Sequence, residues 1–273
     1  MKRPLEERPR AKGAQRGFAL LIVLWALVPL SLLFLALSSG GRSEAVSAAN
    51  LLTSAEMEAI ADAAISTAVF DLLKHGATMQ PGQINEAKVS ISVRHLSGLV
   101  NPNNAGPALM RALLIRHGAP ALRAIALAAA LQDWRTPGRD KSPNGAKAAE
   151  YRAAGLSYGP PGAPFESLDE IGLVLGMTPE LFEALRPDLT LFTDGDPDPA
   201  SASDIVRAAL RDTGAAVSVG SQDRQVVQIT AVARRGKAVV SREAVIRIGA
   251  SPDGRGFSVL TWDSVSNITL LMH

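Results

Sequence analysis

The sequence predicts an α+β protein in which a long N-terminal helix packs on an antiparallel sheet and a large all-α domain is inserted between strands. Three observations carry this. An apolar run at residues 18–37 passes into a second helical stretch at 42–75. Alternating β-branched runs occur at 88–95 and again between 226 and 262. The residues between those runs carry helical signatures.

The 273 residues, 47% of them hydrophobic, suffice for one or two domains with a real core. With no Cys, a disulfide framework, a thiolate metal site, a cysteine nucleophile and lipidation at an N-terminal Cys are excluded. The net charge is +2, but residues 1–17 hold six bases (Lys2, Arg3, Arg8, Arg10, Lys12, Arg16) against Glu6 and Glu7. The remainder is therefore at −2 and is no basic surface for nucleic acid.

Residues 18–37 (FALLIVLWALVPLSLLFLAL) are uncharged, and such a stretch spans about 30 Å of hydrocarbon as a helix. One transmembrane helix is predicted, with the basic leader 1–17 in the cytoplasm and the body in the periplasm. A cleavable secretory signal is the alternative, but its apolar core runs only about 7–15 residues. Beyond Gly40 and Gly41, Val46, Ala49, Leu52, Ile60, Ala63, Phe70 and Leu73 recur mostly at three- and four-residue steps, and Gly76 is a stop signal. This reads as an amphipathic continuation of the helix over 38–76; its Ala-rich, irregular seam does not suit a coiled coil.

Residues 77–100 and 215–273 are assigned to the sheet domain. In KVSISVRH (88–95), Val89, Ile91 and Val93 alternate with polar residues, and 226–234, 238–248 and 257–262 are further strands, separated by Arg235-Gly236 and Pro252-Asp253-Gly254. Residues 101–214 are assigned to the helical insertion, with helices predicted at 107–117, 120–134, 167–175, 178–186 and 201–212. Ser167 to Glu170 forms a capping box, and Thr178-Pro179 an N-cap with Pro in the first helical position. Asp194 to Asp198 (DGDPD) reads as a solvated linker, because it carries Pro197 with Pro199 directly after it, and no Glu follows at calcium-loop spacing.

His75, His95, His117 and His273 stand far apart without ligand spacing, and P-loop and H-E-x-x-H patterns are missing, so no enzyme and no cofactor are expected. Residues 166–186 have the character of a helix-hairpin-helix or SAM-like module. Glu166, Asp169, Glu170, Glu180 and Glu183 face a single Arg186 there, which favours contact with protein over nucleic acid.

Arg16-Gly17 followed by Phe18-Ala19-Leu20-Leu21 resembles the processing site of type IV pilins and type II secretion pseudopilins. The resemblance implies cleavage between Gly17 and Phe18 by a prepilin peptidase and N-methylation of Phe18. Most of these subunits have Glu at the fifth mature residue. Here that position is Ile22, and an apolar residue there is characteristic of the K-type minor pseudopilin family of type II secretion. Further blocks resemble that family: Ser97-Gly98-Leu99-Val100-Asn101-Pro102-Asn103, Asp133-Trp134, and Pro164-Phe165-Glu166-Ser167-Leu168-Asp169-Glu170 followed by Gly176-Met177-Thr178-Pro179-Glu180.

The resemblance implies a pilin-like α/β domain carrying a SAM-like helical insertion, in a single-pass protein of the bacterial inner membrane that starts or caps the periplasmic pseudopilus. The implied partners are the I- and J-type minor pseudopilins, then the H type and the major G type, the prepilin peptidase and the inner-membrane assembly platform. A minor pilin of a type IV pilus or DNA-uptake machine, and a membrane-anchored or secreted enzyme, are the alternative readings. The K family also binds calcium in its helical domain, typically through Asp-Trp-x-Asp-x-Asp and a later Gly-Ala-Glu. This chain reads Asp133-Trp134-Arg135-Thr136-Pro137-Gly138 and Gly145-Ala146-Lys147. Candidate ligands are Asp133, Asp140 and Glu150, but Arg135, Arg139, Lys141 and Lys147 surround them, so weak or no calcium binding is expected.

Overall fold

A computed structural model of the chain describes residues 14–76, 82–214, 224–249, 254 and 256–265. Residues up to Glu56 form one compact unit and those from Met57 onward a second. Helix α1, Ala14–His75, contributes to both.

In the first unit every described side chain from Leu20 to Phe34 is exposed. Among the described residues no helix is long and apolar enough to cross a membrane. The side chains of residues 18, 19 and 35–37, at the two ends of the expected span, lie outside the described residues.

In the second unit the sheet has the order β1-β2-β3-β4-β5 among the described residues, antiparallel throughout. Its strands are β1 (Gly82–Ile84), β2 (Ala87–His95), β3 (Arg224–Arg235), β4 (Ala238–Gly249) and β5 (Phe257–Val265). β1–β2 and β3–β4 are hairpins joined by tight two-residue turns. Asn85 and Glu86 both take positive φ between β1 and β2, and Gly236 takes φ +59° in the two-residue turn between β3 and β4. The register runs Lys88↔Arg234 to His95↔Val227, so β2 and β3 lie side by side although the helical residues separate them in sequence.

Met57, Ile60, Ala61, Ala64, Ile65, Ala68 and Val69 of α1 are buried against Val89, Val227, Ile229, Ala231, Ala233, Ala244 and Ile246. Their spacing is a helical stripe, and alanines on both surfaces let helix and sheet approach closely. The seam expected from sequence lay elsewhere. Of its members Ile60 is buried, while Ala49, Leu52, Ala63, Phe70 and Leu73 are exposed; Val46 has its side chain outside the described residues. The physical reason is that alanines occur on both faces, so hydropathy alone does not mark which face meets the sheet. Phe70 instead lies under the Lys74 ammonium, 5.8 Å from the ring centroid. On the edge of the same core Asp62 accepts hydrogen bonds from Arg242 Nε (2.8 Å) and Trp262 Nε1 (2.9 Å), tying helix to β4 and β5.

Helices α2 (Pro107–Arg116), α3 (Ala121–Arg135), α4 (Ala148–Ala153), α5 (Pro179–Leu185) and α6 (Asp204–Asp212) enclose a second core containing Leu113, Leu114, Leu127, Trp134, Tyr151, Ile171 and Leu185. The helix expected at 167–175 is a 3-10 helix, Leu168–Leu173. Its capping box forms: Glu170 Oε1 accepts from the Ser167 N–H at 3.0 Å and Ser167 Oγ accepts from the Asp169 N–H at 3.2 Å. Thr178 has the extended backbone of an N-cap and Pro179 follows, but its side chain makes no capping bond.

A third, small cluster of Leu96, Leu99, Val226 and Val245 lies where the chain leaves β2 and returns to β3. Asp194 to Asp198 also lies here: residues 194–196 are exposed, as a solvated linker requires, but the segment is tied down. Asp194 pairs with Arg247 of β4 at 3.0 Å, the Asp198 N–H donates to Ser97 O at 2.8 Å, and Pro197 is buried. The segment is a strap tied to Ser97 and to β4, which sequence spacing alone does not distinguish from a free linker.

Candidate functional site

Two of the helical domain's polar constellations are built from the residues singled out in the sequence. The first lies where the chain enters this domain. Asn101 is buried; its Oδ1 accepts from the Asn103 N–H at 2.9 Å, and its Nδ2 donates to Thr193 O at 2.7 Å. Asn103 pairs with Phe165 in both directions, donating from Nδ2 to the carbonyl at 2.9 Å and accepting the N–H at Oδ1 at 2.8 Å. A short parallel bridge joins Val100 to Leu189. Asparagine suits both places because its amide offers donor and acceptor together. The stretch entering the domain is thereby clamped to residues 189–193 and to the Phe165 block.

The second constellation surrounds Asp133 and Trp134, both buried at the end of α3. Trp134 stacks on Phe165 with ring centroids 5.9 Å apart and planes at 4°, and lies 6.1 Å from Tyr151. Its Nε1 donates to Glu170 Oε2 at 3.3 Å, so the Asp-Trp motif and the Phe165–Glu170 block meet at one ring. Tyr151 Oη accepts the Leu175 N–H at 2.9 Å. Burial pushes the Tyr151 phenol up to about 12, against the pull of that bond, with the charge of Asp133 adding to the rise.

The Asp133 carboxylate accepts from Ser142 Oγ at 2.6 Å and from the Ser142 N–H at 3.0 and 3.1 Å. Gly145 allows this: a Cβ there would stand 2.0 Å from Asp133 Oδ2. Lys147 is also buried, and its ammonium donates to Asp133 O at 2.6 Å and Thr136 O at 2.5 Å. Glu150 accepts from the Lys147 N–H at 2.9 Å and pairs with Lys141 at 2.8 Å. The Lys141 contact first, and the Lys147 N–H next, hold its carboxyl at about 2. Arg135 donates to Pro102 O at 2.7 Å and Ala105 O at 2.8 Å.

Tested as calcium ligands, these groups do not fit. Calcium requires about six to eight oxygens at about 2.3–2.6 Å. Here the carboxylate of Asp133 is occupied by Ser142, the two nearest converging carbonyls by an ammonium, and Glu150 by Lys141; Asp140 is exposed. Among the described residues no group of three His, Asp or Glu side chains could hold a metal ion.

One polar cluster had no signal in the sequence. His117 Nε2 lies 2.9 Å from Asp188 Oδ2, both side chains buried, and Ser203 Oγ donates to Asp188 Oδ1 at 2.7 Å. The residue types are those of a hydrolytic triad, but the carboxylate stands in the middle and the serine has no base beside it. Ser203 also caps α6, accepting the Val206 N–H at 3.2 Å, so the cluster ties three segments of the helical domain. Arg186 is engaged with Asp169 at 2.8 Å and adds no cationic face to residues 166–186. His273 lies outside the described residues. Gly17 and Phe18 lie in α1, their side chains outside the described residues, and Ile22 is 54% exposed.

Residues 90–194 match the family described as "Type II secretion system (T2SS), protein K". The match contains both constellations. No curated protein matches the chain by sequence. Among solved structures, a chain of the crystal structure of the GspK-GspI-GspJ complex from the type 2 secretion system of enterotoxigenic Escherichia coli is similar in fold. The TM-score is 0.57 and the identity 16%, over 82% of this chain and 98% of that one.

Proposed function

We propose that this chain, whose residues 90–194 match the type II secretion system protein K family, is a minor pseudopilin of that system and the tip subunit which starts or caps the periplasmic pseudopilus. Its part is structural. The first unit is its inner-membrane anchor, the pilin-like body and SAM-like helical domain lie in the periplasm, and I- and J-type minor pseudopilins are its nearest partners. The H and major G types follow below, with the assembly platform at the membrane.

The observation that carries the tip placement is Ile22. It sits in a helix whose described side chains from Leu20 to Phe34 are all exposed and include no acid. A surface apolar all round needs lipid or other apolar helices as its surroundings. In a bundle of such helices an unpaired N-terminal amine costs several kcal/mol, and a carboxylate at the Ile22 position of a neighbour would neutralise it. A subunit without that acid fits where no further subunit's amine needs it. The bulk of the helical domain supports the same position, because it would crowd lateral packing in a shaft and is accommodated at an open end.

Processing tests the anchor. Peptidase cleavage between Gly17 and Phe18 exposes the Phe18 amine, which the acid of the subunit below can pair. Mass spectrometry of the membrane-extracted protein is expected to find a chain beginning at N-methylated Phe18. A chain beginning at Met1 or near residue 40 would contradict the reading.

A further inference from the structure

The geometry points to Lys147 as the resident cation of the Asp133 loop: its ammonium takes the place of a divalent ion, and the helical domain holds its fold without metal. This stands independently of the subunit's position in the filament. At the end of α3 the carbonyls lack helical partners, and the helix dipole favours positive charge. Three of the last four carbonyls of α3, and that of Thr136 beyond it, have partners. Gln132 O accepts from the Thr136 N–H and hydroxyl, Trp134 O from the Gly162 N–H, and Asp133 O and Thr136 O from the Lys147 ammonium.

Two carbonyls converging beside a carboxylate are a donor set for a hard cation. A lysine is rarely buried, yet Lys147 is 5% exposed, so its charge is committed to these oxygens and not to water. A divalent ion on the same carbonyls would stand within bonding distance of the ammonium and be repelled by it. Arg135 treats Pro102 O and Ala105 O in the same way, so side-chain cations staple main-chain carbonyls on both sides of Trp134.

Thermal unfolding of the full chain in detergent micelles, followed by circular dichroism with millimolar calcium or EDTA, tests this. The unchanged protein is expected to melt within about 1 °C in the two conditions. Lys147→Met keeps the apolar stem and loses the ammonium; it is expected to melt about 5 °C lower, indifferent to calcium. Lys147→Glu is expected to be at least as unstable in EDTA and to regain about half of that loss in calcium. If it is unfolded in EDTA, recovery of the folded signal on adding calcium is the same result. Stabilisation of the unchanged protein by more than about 3 °C in calcium overturns the proposal. So does Lys147→Met melting with the unchanged protein, or Lys147→Glu indifferent to calcium.

Discussion

Gly98→Ala is expected to lower stability by about 3 kcal/mol, at the upper end of ordinary overpacking. A Cβ on Gly98 would stand 2.3 Å from the carbonyl carbon and oxygen of Ser201 and 2.4 Å from the Ala202 nitrogen. These are main-chain atoms that cannot swing aside as a side-chain end could. They also belong to the region where Ser97 O accepts the Asp198 N–H at 2.8 Å and Ser97 Oγ accepts the Val226 N–H at 3.1 Å. Separating the two chains therefore disturbs the docking of the helical domain on the sheet. The melting temperature should fall by about 6–12 °C. Gly106→Ala is the control, since a Cβ there meets nothing within 4 Å, and it should melt close to the unchanged protein. Equal melting of both variants would show that the Gly98 contact has no energetic weight.

Trp134→Ala is expected to cost about 3–5 kcal/mol, the usual range for deleting a large buried aromatic ring. Its loss opens a cavity between Phe165 and Tyr151 and removes a donor from Glu170, whose other oxygen holds the Ser167 capping box. Trp134→Phe keeps most of the ring and loses chiefly the indole bond, so about 1–2 kcal/mol is expected. Denaturant melts give both values, and limited proteolysis of the Ala variant should cut within the helical domain before the sheet. Similar stability of the two variants would mean that the hydrogen bond, and not the stacked ring, carries the contact.

Strands and helices were legible where local chemistry decides them. The alternation at 88–95 reappears as β2, and Ser167 and Glu170 cap the helix start that their spacing announces. The buried face of α1 was not legible, because alanines stand on both faces and give little hydropathy contrast, and the face is set by the sheet residues opposite, among them Ala231, Ala233 and Ala244. The docking of Asp194 and Asp198 was hidden for a similar reason: their partners Arg247 and Ser97 are distant in sequence. At the Asp133 loop, the excess of cations could be counted in advance. That Lys147 turns inward to two carbonyls could not, because it depends on how α3 ends and where α4 begins.

The position of the subunit in the filament is the central claim, and immunogold labelling of assembled pseudopili with an antibody to the helical domain measures it most directly. The account predicts label at one end only, at about one copy per filament, as an open end accommodates both the missing acid at Ile22 and the added bulk. Label at intervals along the shaft would contradict it.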